Sequence, residues 1–137
     1  MPRLNAILET VLYVADLPRA ATFYETVMHL PILFSDDRMR AFDIAGKGTL
    51  LLFRTGGTLT PVHFRGGTIP PHDGAGPLHI AFAVDADQLE PWRDHLTAQA
   101  IPIEAEARWP RGGHSLYFRD PDDHLLELAT PGIWPGY

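Results

Sequence analysis

Apolar residues recur along the chain in two rhythms, and the same succession of rhythms occurs twice. The runs "ETVLYV", from Glu9, and "HIAFAV", from His79, alternate with the period of two that a half-buried strand requires. Each run meets an aspartate suited to cap a helix, Asp16 in the first and Asp87 in the second. Asp87 with Glu90 three residues later has the spacing of a capping box. Helical periodicity follows: Ala20, Phe23, Tyr24 and Val27 share one helix face, and Leu89, Trp92 and Leu96 share another. After each helix come a short strand ("PILFS", "IPIEAEA"), a hairpin and a closing strand. Those hairpins are "MRAFDIAGKGTLLLFRTGG" in the first half and "HSLYFRDPDDHLLELATPG" in the second, and their endings put Leu52 opposite Glu127.

The pattern predicts an α+β fold in a single domain, residues 1–137, made of two βαβββ modules at about 5–55 and 77–132. A unit of about 60 residues covers its own apolar sheet face poorly. The two sheets are therefore expected to form a half-open mixed β-barrel with the helices outside. The connection, residues 56–76, is rich in Gly, Pro and Thr and has no period. It exceeds the ~12–15 residues of an ordinary loop, so a lid or binding loop with a short hairpin is expected there.

Strand alternation assigns the faces. Leu12, Val14, Ile80, Phe82, Leu116, Phe118, Leu126 and Leu128 belong against the helices, which turns Glu9, Tyr13, His79, Ser115, Tyr117 and Glu127 inward. Glu127 is the anomaly, because a carboxylate buried in a leucine strand costs several kcal/mol unless something pairs with it. Glu9, His79 and Glu127 together need a counter-charge, and a divalent cation supplies one. Three protein ligands with open coordination positions suit a catalytic rather than a structural metal. The residues also allow a plainer account, in which Arg40 or Arg54 pairs with Glu127 and His79 is a hydrogen-bonded core histidine.

Composition narrows the field further. No cysteine is present, which removes disulfides, thiolate zinc sites and cysteine nucleophiles. A net charge of −6, with only 11 scattered Lys and Arg residues, argues against nucleic acid and is compatible with cationic ligands. No apolar run approaches the ~20 residues of a membrane span and no leader pattern opens the chain, so a soluble cytoplasmic protein is expected.

Three stretches, "LETVLYVADLPRAATFYETVMHLP", "GPLHIAFAVD" and "LYFRDPDDHLLELATP", resemble the vicinal oxygen chelate superfamily. That group holds glyoxalases, bleomycin-resistance proteins, fosfomycin-modifying enzymes and extradiol dioxygenases. The resemblance covers about residues 7–132 and implies one divalent metal ion (Fe, Mn, Ni or Zn) on Glu9, His79 and Glu127. It implies a small-molecule substrate chelated through neighbouring oxygens and an oxyanion stabilised by the metal, in an isomerase, a lyase or a ring-cleaving dioxygenase. It further implies a homodimer, with the site inside one chain or across two. Glu127 would also serve as general base when displaced from the metal, and Tyr117 would donate a hydrogen bond to the oxyanion. Substrate contacts are expected from Tyr117, Ser115, Arg111, His114 and Tyr13. His72 is a candidate proton shuttle, although surface exposure is the favoured expectation for it.

The chain departs from the family at several positions. The fourth ligand of glyoxalase-type members falls on Leu52, and one His with two carboxylates differs from the dioxygenase triad, which ranks ring cleavage lower. The sole lysine, Lys47, sits in a hairpin turn, which ranks phosphonate chemistry lower still. The alternative is a metal-free, bleomycin-resistance-like protein that sequesters a cationic or aromatic ligand with Trp109, Trp134, Phe64 and Tyr117.

Overall fold

A computed structural model describes residues 1–137, and the chain divides into two units, Met1–Ala75 and Gly76–Tyr137. In the first unit β1 (Glu9–Val14) leads into α1 (Leu17–Thr26), followed by β2 (Ile32–Ser35), β3 (Met39–Ile44) and β4 (Gly48–Arg54). The sheet order is β1-β4-β3-β2, with β1 parallel to β4 and the other pairs antiparallel. Helix α1 begins where the sequence pattern places it. The Asp16 side chain accepts a hydrogen bond from the Arg19 N–H at 3.0 Å, and Pro18 occupies the first turn, where a missing N–H does no harm. Leu12, Val14, Ala20, Tyr24, Phe42, Leu50 and Leu52 form the core under this helix. On the opposite face Ala41, Leu51 and Phe53 pack with Val11, Tyr13 and Met39.

The long connection carries the expected hairpin, β5 (Val62–Phe64) with β6 (Gly67–Ile69). Its base is tied by the His72 N–H to the Thr58 carbonyl at 3.0 Å and by the Thr58 hydroxyl to the His72 carbonyl.

The second unit repeats the plan with β7 (His79–Ala83), α2 (Leu89–Ala98), β8 (Ala105–Arg108), β9 (His114–Arg119) and β10 (Leu125–Ala129). The sheet order is β7-β10-β9-β8, again with the first strand parallel to the last. The anticipated capping box does not form. Asp87 lies inside a 3₁₀ turn at Ala86–Gln88, so α2 starts later, without a side-chain cap, and Glu90 pairs with Arg93 at 3.1 Å instead. Trp92 is half-buried and meets His95 edge-on, while Leu89 and Leu96 are buried. In the β9–β10 hairpin the Asp120 carboxylate accepts the N–H groups of Asp122 and His124, both at 2.9 Å. His124 is buried and its Nδ1 accepts the Leu78 N–H at 2.8 Å, which fastens the hairpin to the entry of β7.

The ladders correct the internal equivalence. Val11 pairs with Leu51 in the first unit and Ala81 with Glu127 in the second, so Glu127 corresponds to Leu51, one residue before the expected Leu52. Leu52 shares the helix side with Leu12 and is fully buried. Matching by the glycine-ended turns introduced the offset, since a turn tolerates one extra residue and a paired strand does not. The equivalent position holds a leucine either way. No helix is long and apolar enough to cross a membrane.

The two helix starts give a testable contrast. Asp16→Ala should destabilise the protein by about 1 kcal/mol in urea unfolding, whereas Asp87→Ala, which removes no cap bond, should stay within about 0.5 kcal/mol of wild type.

Candidate metal centre

The antiparallel register of β9 and β10 sets Tyr117 directly opposite Glu127, and β7 on the other side brings up His79. Glu127 is only 7% exposed. Its Oε2 accepts the Ser115 hydroxyl at 2.5 Å, and Ser115 Oγ in turn accepts the Trp109 indole N–H at 2.9 Å. Its Oε1 lies 3.3 Å from His79 Nε2. Tyr117 completes the group, with its ring 6.5 Å from that of His79 and its hydroxyl within reach of Ser115 and Glu127. Burial, then the Glu127 charge, pushes the Tyr117 phenol above its ordinary value, so it stays protonated and able to donate.

The histidine's other nitrogen decides what this arrangement can do. His79 Nδ1 lies 2.9 Å from the Leu125 carbonyl, an acceptor, so Nδ1 carries the proton of the neutral ring. Nε2 then points a lone pair at a carboxylate oxygen. Two acceptors at that separation need a proton or a cation between them. Two donors on one tetrahedral ion, each ~2.0–2.1 Å from it, stand ~3.3 Å apart, so the pair suits a shared metal. The Nδ1-to-carbonyl bond is the usual means of orienting a ligating imidazole.

A cavity of about 570 Å³ opens beside these side chains, walled by Ala81, Phe82, Ala83, Trp109, Ile133, Trp134 and Tyr137. It is the size of a small-molecule site. Tyr137 is held in this wall by its hydroxyl, which donates to the carbonyl of Ala129 at 2.6 Å. Sequence reasoning assigned Trp109 and Trp134 only to a metal-free groove and missed Ile133 and Tyr137. The aromatic ending "GIWPGY" was the available signal.

Glu9 lines a separate cavity of about 350 Å³ in the first unit, with Arg38, Thr58, Thr60 and His72 as its other polar residues. His72 is half-buried there, contrary to the exposed position expected of it. Its Nδ1 is 2.6 Å from the Tyr13 hydroxyl and its ring stands edge-on to Phe53, which also lies under the Arg38 guanidinium. Gly74 passes so close to the Tyr13 ring that a Cβ would come within 2.4 Å of it, so only glycine fits without a shift. Burial, then Asp73, raises the Tyr13 phenol above its ordinary value.

His114 and Arg111 stand differently from the other expected substrate residues. His114 Nε2 is 3.2 Å from Glu106, which also holds Arg93, and these partners, Arg93 first, lower the Glu106 carboxyl to about 2. Arg111 is exposed in the turn before β9 and lines neither cavity. Arg40 bonds the carbonyls of Asp36 and Met39. Within either unit no three His, Asp or Glu side chains gather as a complete ligand set.

Comparison with known proteins agrees with the fold. A family model described as Glyoxalase/Bleomycin resistance protein/Dioxygenase superfamily matches residues 6–128. Metallothiol transferase FosB of Staphylococcus saprophyticus is 25% identical over 85% of this chain and 71% of its own length. FosB of Shouchella clausii is 29% identical over 92% of this chain and 80% of its own length. The crystal structure of a lactoylglutathione lyase from Agrobacterium tumefaciens superimposes with a TM-score of 0.88 at 31% identity, covering 97% of this chain and 98% of that one.

The Tyr13–His72 bond generates a prediction of its own. Tyr13→Phe keeps the ring under Gly74 but removes the hydroxyl. It should cost about 1 kcal/mol of stability and raise amide hydrogen exchange within residues 56–76 while β3 and β4 remain protected.

Proposed function

The chain belongs to the Glyoxalase/Bleomycin resistance protein/Dioxygenase superfamily, and we propose that within it the protein is an enzyme requiring one divalent metal ion held by His79, Glu127 and Glu9. The observation that carries this reading is the lone pair of His79 Nε2 facing Glu127 Oε1 at 3.3 Å, an arrangement that a cation completes. Glu9 enters as third donor because it opens β1 as His79 opens β7. When bound, the ion supplies Lewis-acid polarisation of two neighbouring substrate oxygens.

The chain's own residues supply the rest. Tyr117, kept protonated by burial and by Glu127, donates to a substrate oxygen as negative charge grows on it. Trp109, Ile133 and Trp134 take the body of the substrate and exclude water from one side. No Arg or Lys lines this cavity, which supports a neutral, apolar or aromatic substrate body rather than a phosphonate. Isomerisation or lyase chemistry is favoured by the 31% identity to the lactoylglutathione lyase. A second reading, transfer of a thiol onto such a substrate, is favoured by the two relatives named metallothiol transferases. We propose a homodimer as well, since β2 is a sheet edge whose Ile32, Leu33 and Phe34 are exposed.

Elemental analysis of protein purified without an affinity tag tests the reading. About one equivalent of Fe, Mn, Ni or Zn is expected in the wild type and none in His79→Ala or Glu127→Ala. Stoichiometric metal in both variants would overturn the ligand assignment. No metal, with no rise in Tm on adding any of the four, would leave the metal-free binding protein, which should bind an aromatic cation whether or not chelator is present. Iron or manganese directs the assay to oxygen uptake with catechol-like compounds, nickel or zinc to hemithioacetals and thiol consumption. Mixing Glu9→Ala with Glu127→Ala restores metal binding only if the site is built from two chains.

A further inference from the structure

Glu127 is gripped from behind as well as facing His79, and this second set of contacts has a role of its own. Ser115 is fully buried on β9, at a position where a strand would ordinarily carry an apolar or β-branched residue. A buried hydroxyl needs partners. Here it donates to Glu127 Oε2 at 2.5 Å and accepts the Trp109 N–H at 2.9 Å. The indole N–H can only donate, so Ser115 Oγ accepts from Trp109 and keeps its own proton for the carboxylate 2.5 Å away. Oε2 is thus turned toward Ser115, and Oε1 is the oxygen presented to His79 Nε2.

We infer that Ser115 and Trp109 are positioning residues that hold Glu127 as a one-oxygen metal ligand and keep it from swinging away as a mobile base. The inference rests on the metal reading above and adds to it the denticity of one ligand and the residues that set it. A carboxylate bound through both oxygens would have to rotate against the Ser115 bond, and a carboxylate leaving the metal to take a proton would have to drag or break the same bond. Trp109 has a second face in this arrangement: the residue, 36% exposed, is also a wall of the 570 Å³ cavity. A substrate lying against that wall touches the residue that steadies the ligand, so occupancy of the cavity is coupled to the aim of Glu127 through two hydrogen bonds. Such outer contacts typically govern 10–100-fold in metal affinity.

The test is titration of chelator-stripped protein with Co²⁺, followed by the visible absorption of the bound ion. Ser115→Ala should weaken Co²⁺ binding ~10–100-fold and lower the band's intensity as the freed oxygen joins the coordination shell. Trp109→Phe keeps an aromatic wall while deleting the donor. It should weaken binding by a smaller factor and add nothing in the Ser115→Ala background, because both act through one carboxylate. Near-ultraviolet circular dichroism confirms the fold, and Trp109→Phe carries the test if Ser115→Ala does not fold. Wild-type affinity and an unchanged band in both variants would overturn the brace while leaving the metal reading intact. A wild type that takes up no Co²⁺ would overturn the metal reading and the brace with it.

Discussion

One buried carboxylate organises the second unit. Glu127 stands between Leu126 and Leu128 in a strand whose other members pack as core, and a bare charge there would be costly. The fold meets this cost with directed groups rather than a lysine or arginine. The Ser115 hydroxyl bonds one oxygen, the Tyr117 phenol lies within reach, and His79 approaches the other oxygen. Each of these is delivered by strand register. Tyr117 is directly across from Glu127 on β9, and His79 begins the parallel strand on the other side. A one-residue slip in either ladder would turn these side chains toward the helix and strand the charge.

The same plan in the first unit carries different side chains at the equivalent positions, Leu51 for Glu127, Ala41 for Tyr117 and Met39 for Ser115. Leu51 occupies the place of Glu127, and the face around it is apolar, with Phe53, Ala41 and Met39 as neighbours. What polarity remains there comes from Glu9 at the strand's start and from the connection, whose His72 reaches back to Tyr13. The duplication thus preserves a backbone frame and leaves the chemistry to individual positions.

Much of the fold was legible because β-strands and helices write their periods into sequence. The alternation of "ETVLYV" and "HIAFAV" identified two strands, and Asp16 marked a helix start that the backbone uses. Asp87 misled because a capping signature is local, whereas the 3₁₀ turn at Ala86–Gln88 moved the true start beyond it. His72 misled in the opposite sense. A histidine among prolines and glycines reads as surface, yet tertiary closure of the connection brought it against Phe53. Tyr137 was invisible as a site residue, and Trp109 visible only as a groove aromatic, because neither lies on an alternating strand. Their roles come from where the chain turns back.

By itself the sequence determined the two βαβββ patterns, the absence of thiol chemistry, and the oddity of a glutamate in a leucine strand, since each depends only on residue type and spacing along the chain. Only the tertiary structure decided which nitrogen of His79 faces Glu127, which oxygen of Glu127 accepts the Ser115 hydroxyl, and that Trp109 donates to Ser115 in turn. Those facts depend on distances of about 3 Å between groups far apart in sequence, and on which donors remain once the backbone has taken its share. Periodicity says which face a side chain is on. The direction of a hydrogen bond is settled only when the partner strand arrives.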